Sequence, residues 1–142
     1  MTNRGTSAGT VPLQSPLGAA GDADVLVAAA SEALSKRSIE HAIALLDGAL
    51  RLDADHGRAW ALLGLARKEL GKRTEAIEAY ERAISLDAED EVAPVELAEL
   101  YVEVGDRERA RALLVWLLST LESATLRRRA EAALRATEGA SH

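Results

Sequence analysis

The 142-residue chain contains no cysteine, no phenylalanine and one methionine, and its aromatic residues are Trp60, Tyr80, Tyr101 and Trp116 alone. Without cysteine there can be no disulfide framework, thiolate metal site or cysteine nucleophile, which fits a reducing, cytoplasmic setting. So few aromatics leave no surface on which bases could stack. Lysine and arginine number 17 against 23 acids, a formal charge of −6, so clustered positive charge for nucleic acid or an anionic membrane is missing. The apolar run Ala112–Leu118 is far too short to span a bilayer, and no charged start leads into an apolar core of secretory length. Catalytic signatures are also absent: no P-loop, dinucleotide fingerprint or G-x-S-x-G occurs. The three histidines, His41, His56 and His142, supply no second ligand cluster, so neither a metal nor another cofactor is expected. The composition points to a non-enzymatic protein directed at other proteins.

What is present is helical periodicity. From Ala59 to Asp87 two short apolar-faced helices are joined at Gly71, the first carrying Trp60, Leu63 and Leu70, the second Ala76, Ile77, Tyr80, Ala83 and Ile84. Trp60 and Tyr80 are large knobs that need a facing surface, whereas Gly64, Ala76 and Ala83 are small enough for helices to approach closely. Matching positions recur every 34 residues: Ala42, Ala76 and Ala110; Leu46, Tyr80 and Leu114; and Leu26 and Trp60, with Pro94 replacing the large residue in the third copy. Leu52-Asp53-Ala54 returns as Leu86-Asp87-Ala88. One register kept through two intervening turns is the signature of stacked repeats.

Trp60, Leu63 and Gly64 stand in W-x2-L-G order, followed by Ala76, Tyr80 and Ala83, and Tyr101 and Ala110 fill matching positions of the third copy. This pattern resembles the tetratricopeptide repeat (TPR). The resemblance implies an all-α, right-handed solenoid of three helix-turn-helix repeats at 23–56, 57–90 and 91–124, with a capping helix over 123–137. Asp24 and Ser38 are expected helix caps, as are Asp90 and Asp106, with Pro94 then falling in a first turn. Residues 1–22 read as a disordered tail and 138–142 as a flexible end. Within the tail, VPLQSPLG could instead act as a short extended ligand. Trp116 is expected in the core beneath the capping helix or, alternatively, in a homodimer contact, and Arg127-Arg128-Arg129 on a solvated face.

In stacked helix pairs the first helix of each repeat lines the concave side. The resemblance therefore implies a groove, for a protein or peptide partner, formed by Val27, Ala28, Ser31, Arg58, Ala61, Leu62, Leu65, Val92, Val95, Glu96 and Glu99. Between Ala83 and Asp106 lie seven acids and no lysine or arginine, so the groove's acids could guide a basic partner. TPR adaptors that clamp a Glu-Glu-Val-Asp carboxylate with basic and amide side chains are a poor match, because Val27, Ser31, Leu62, Val92 and Glu96 stand there instead. Leu52-Asp53, Arg58 and Gly64, then Pro94, Ala98, Glu99, Gly105 and Asp106, are similar to class II chaperones of type III secretion systems. That resemblance implies a chaperone holding a segment of a hydrophobic translocator subunit before secretion.

Overall fold

A computed structural model describes residues 18–139. Within them lie seven helices: α1 (Gly18–Ser35), α2 (Ile39–Leu52), α3 (Gly57–Glu69), α4 (Arg73–Leu86), α5 (Val92–Glu103), α6 (Arg107–Thr120) and α7 (Ala124–Gly139). Helices α1 and α2, α3 and α4, and α5 and α6 pack as hairpins; each hairpin leans on the next, and α7 closes the stack against α5 and α6. This is the three-pair solenoid with a closing helix that the period predicts.

The backbone keeps the period too. Arg37, Gly71 and Gly105, one at each within-pair turn, have φ of 65°, 79° and 86°. The next residue donates its N–H five positions back in every case, Ser38 to Ala33 at 2.8 Å, Lys72 to Arg67 and Asp106 to Tyr101 both at 2.9 Å. Such a closure satisfies orphan carbonyls at a helix end and needs a left-handed residue, which glycine supplies without a Cβ penalty. Arg37 adopts it without that freedom. Between pairs, Asp53 and Asp87 each accept the N–H two residues on, both at 3.1 Å, which is why Leu-Asp-Ala recurs there.

Helix starts follow the expected chemistry in part. The Asp90 carboxylate accepts from Val92 at 2.8 Å and Ala93 at 3.2 Å, Asp106 from Arg109 at 3.2 Å, and the Ser123 hydroxyl from Leu126 at 3.2 Å. Pro94 thus sits where its missing N–H costs nothing. Ser38 precedes α2 without a side-chain cap. Asp24 caps nothing, because α1 begins at Gly18, inside the stretch expected as tail; the rest of that stretch lies outside the described residues. Helix α7 likewise runs past Thr137 to Gly139.

Small residues occupy the helix crossings: Ala42, Ala76 and Ala110 are fully buried. A Cβ on Gly64 would lie 2.9 Å from the Tyr80 ring, so this glycine is what allows Tyr80 of α4 to lie against α3. Trp60 is half-buried and its indole N–H donates to the Ala54 carbonyl at 2.9 Å, pinning the turn between the first two pairs. Beneath α7 lie Leu117 and Leu121, packed with Leu126, Ala130 and Ala133. Trp116 is not there. It is 55% exposed on the outer face, because the position one residue before Leu117 is rotated about 100° around α6.

Candidate functional site

Helices α3 and α5 face one another across a cavity of about 230 Å³. Arg58, Ala61, Leu62 and Leu65 line it from α3, Val92, Ala93 and Glu96 from α5, with Asp90 at the rim and Tyr80 behind. Arg58, Ala61, Leu62, Leu65, Val92 and Glu96 are all residues that the repeat pattern predicts for the groove. Glu99 lines an adjoining hollow, with Val102 and Glu103 of α5 and Arg129, Ala132 and Ala133 of α7. Ser31 is half-buried on α1 and does not line the cavity, while Ala28 is exposed. Val27 and Val95 correct the expectation: they are 2% and 0% exposed and belong to the core. They share a repeat position with Ala61. Valine fills the gap between neighbouring helices there, whereas alanine is too short to do so and leaves the cavity open.

The electrostatics differ from the sequence reading. Glu96 is engaged from both sides, by the Lys68 ammonium of α3 and by the Arg129 guanidinium of α7 at 3.0 Å. Arg129 also donates through Nε to Glu99 at 3.0 Å. Burial works to raise the Glu96 pKa, but the hydrogen bonds from Lys68 and Arg129 outweigh it, and the carboxyl is held below its ordinary value. Arg129 is raised, chiefly by its hydrogen bond to Glu99. Glu103 pairs with Arg73 at 2.8 Å. The base-free stretch of sequence is therefore met by Lys68 and Arg73 of the repeat before it and Arg129 of the closing helix, and Glu96 and Glu99 are not free to guide a partner. Arg129 leaves the solvated face for this reason, and Arg127 does so by donating to the Leu118 and Leu121 carbonyls at 2.8 and 2.6 Å. Burial, with Glu96 nearby, pushes the Tyr80 phenol far up, so it stays a neutral part of the wall.

What the cavity offers is an apolar lining of Ala61, Leu62, Leu65, Val92 and Ala93 whose acid Glu96 is paired within the fold, with Arg58 and Asp90 beside it. His56, the residue nearest to a metal-ligand pattern in sequence, is occupied structurally. Its Nδ1 accepts from Ala59 at 3.2 Å, capping α3, and its Nε2 lies 2.7 Å from the Asp24 carboxylate. Only an alignment of repeat positions could have revealed this role, since His56 and the cap Asp90 stand 34 residues apart.

The outer face carries a second hollow that sequence reasoning missed. Trp116 and Leu113 of α6 and Ile84 of α4 separate two adjoining cavities of about 690 and 470 Å³. Glu89, Asp90, Glu91 and Glu122 rim the first; Tyr101 enters the second, its hydroxyl donating to Glu81 at 2.5 Å.

Stacked hairpins with a groove along their first helices define an α-solenoid. The repeat itself is a tetratricopeptide repeat: the TPR family model matches residues 57–90, the α3–α4 pair. Among solved structures, the Yersinia enterocolitica type III secretion chaperone SycD in complex with a peptide of the translocator YopD is 20% identical, with a TM-score of 0.75 over 84% of this chain and 94% of that one. PcrH in complex with the chaperone-binding region of PopD is 21% identical, with a TM-score of 0.75 over 84% and 92%. The first TPR of Spaghetti (RPAP3) bound to the HSP90 peptide SRMEEVD is 16% identical, with a TM-score of 0.77 over 86% and 94%. No curated protein matches the chain. The chain is thus similar in fold to TPR proteins, among them type III secretion chaperones.

Proposed function

We propose that this protein is a non-enzymatic TPR module that binds an extended apolar segment of a partner protein across α3 and α5, as a chaperone or adaptor in the cytoplasm. The observation that carries this reading is the convergence of Ala61, Leu62, Leu65, Val92 and Ala93 on one open cavity whose acid Glu96 is already paired. The structural neighbours that hold peptides of other proteins support it. Leu62, half-buried at the centre of the lining, serves as a desolvated anchor site. Leu62→Glu lowers capture of groove ligands by at least about thirtyfold while leaving the fold intact, as expected for an anchor worth about 2 kcal/mol. The test selects peptides from a displayed library on the wild type and measures their affinity for the variant, with circular dichroism on both. A folded Leu62→Glu protein that binds every selected peptide as tightly as wild type overturns the proposal.

The resemblance to SycD and PcrH, together with Pro94, Ala98, Glu99, Gly105 and Asp106, favours one finer reading, a chaperone of a hydrophobic type III translocator. Co-expression tests it: the translocator stays soluble with wild type and aggregates with Leu62→Glu. A homodimer through the outer face is a second reading, favoured by the exposure of Trp116 and Val115, 55% and 58%. Sedimentation of Trp116→Ser against wild type decides it.

A further inference from the structure

We propose that the outer hollow between α4 and α6 binds a segment of another protein in which an apolar anchor stands next to an arginine or lysine. Three observations meet. First, the charges at the larger cavity have one sign: Glu89, Asp90, Glu91 and Glu122 line it, and no lysine or arginine does. Asp90 is occupied in capping α5, and Glu91 accepts from the Glu122 backbone N–H at 3.1 Å. None of the four forms an ion pair among the described residues. The acids of α5 in the same base-free stretch, Glu96, Glu99 and Glu103, are all paired. Arg127 donates to the Leu118 and Leu121 carbonyls instead of to an acid. The smaller cavity carries one charge of each sign, Glu81 and Arg109, so selection for a cation comes from the larger one.

Second, the preceding joint of the solenoid shows what is missing here. There Arg82, exposed on α4, pairs at 2.9 Å with Asp55 in the turn between the first two pairs. One period of 34 residues on, the same two places hold Trp116 and Glu89. The acid is kept and its cation is replaced by an indole. An arginine or lysine brought by a partner restores at Glu89 the pair that Arg82 makes with Asp55, and the Trp116 ring can take the same cation on its face. A pair at an exposed rim adds little affinity, so the acids select and steer.

Third, an apolar floor is present to hold the anchor. Pro94, Leu117 and Leu121 are buried at the base of the larger cavity, Ile84 and Leu113 are half-buried, and Trp116 stands exposed beside them. Removing such a floor from water is where the affinity arises. A second copy of the chain meets this face poorly. Both copies carry a formal charge of −6, and an isologous contact sets the acid-rimmed face against itself.

The experiment selects peptides from a displayed library on the full chain, with Trp116→Ser protein as counter-selection, and measures their affinity for variants shown to be folded by circular dichroism. The expected peptides carry an apolar anchor within a few residues of arginine or lysine. Their affinity falls at least about tenfold in Trp116→Ser and about threefold in Glu89→Gln/Glu122→Gln, the second loss shrinking at about 0.5 M salt. Trp116→Arg, which copies Arg82 and lets Glu89 pair within the fold, abolishes binding. Leu62→Glu leaves it within about twofold, so this inference stands or falls apart from the inner groove. Enriched peptides without basic residues, affinity indifferent to the two glutamine substitutions, or no enriched peptide at all overturns the proposal. So does a wild-type chain that sediments as a dimer and becomes a monomer in Trp116→Ser, since a second copy then covers the face.

Discussion

The two faces of the solenoid solve opposite problems with similar residues. On the inner face, between α3 and α5, the acid Glu96 is paired, its side chain only 13% exposed, and the apolar lining is small and open. On the outer face, between α4 and α6, the hollow is larger and holds the most conspicuous exposed aromatic, Trp116, with a rim of acids that cap turns or face solvent. On the reading proposed above, the face whose acid is paired within the fold, and not the face with the exposed tryptophan, takes the apolar partner segment. Lys68 and Arg129 come from helices on either side of α5 and are held by the stack, so the inner face is organised before any ligand arrives.

The largest stability effect should separate the two tryptophans. Trp60 packs against the buried core that includes Val27, Leu46, Ala59 and Leu63 and holds the Ala54 carbonyl. Trp60→Ala should cost about 3 kcal/mol, the lower end for emptying an aromatic site because half-burial leaves part of the ring wet. Trp116→Ala should cost less than about 0.5 kcal/mol, as an exposed position does. Urea unfolding of both variants checks the pair, and equal losses would erase the distinction between the faces.

Next comes the ionic frame of the inner face. Glu96→Gln leaves Lys68 without its acid and should cost about 2 kcal/mol at pH 7. Because the Glu96 pKa is lowered in the fold, its contribution is present above the ordinary value of 4.5 and is lost as pH falls through the lower folded value. The gap between wild type and variant should therefore narrow steadily as pH falls below 4.5, and a gap that does not change with pH would show that the loss is not ionic.

A smaller effect, about 1–2 kcal/mol, is expected for Gly64→Ala, whose added methyl meets the Tyr80 ring. Tyr80→Leu in the same chain should return part of it, read as a double-mutant coupling. The smallest change has the opposite sign. Arg37→Gly relieves a left-handed residue and should stabilise by about 0.5 kcal/mol, after losing only the exposed contact to Glu69. No gain would mean that the first turn tolerates arginine without strain.

The architecture was legible in the sequence because a solenoid repeats its constraints. Ala42, Ala76 and Ala110 mark helix crossings, Gly71 and Gly105 mark turns, and Asp53 and Asp87 mark the joints between pairs. Much of the groove lining was legible for the same reason. What the period cannot convey is the identity of a residue's neighbour when that neighbour differs between copies. Val27 and Val95 are buried where Ala61 is part-open, because side-chain size and not position decides. Arg129 lies 33 residues from Glu96, across two turns, and looked like one of three solvated arginines. Asp24, the start expected from its capping side chain, lies inside α1, because residues 18–23 continue the helix without a cap signal.

Binding of partner segments at the inner face, as proposed, is decided by measuring the affinity of the tightest apolar library-selected peptide for Leu62→Glu and Trp116→Ser side by side. A loss of at least about thirtyfold in Leu62→Glu, with Trp116→Ser within about twofold of wild type, is the result expected. Retained affinity in a folded Leu62→Glu protein, with the loss appearing in Trp116→Ser, would contradict the claim and move the binding surface to the outer face.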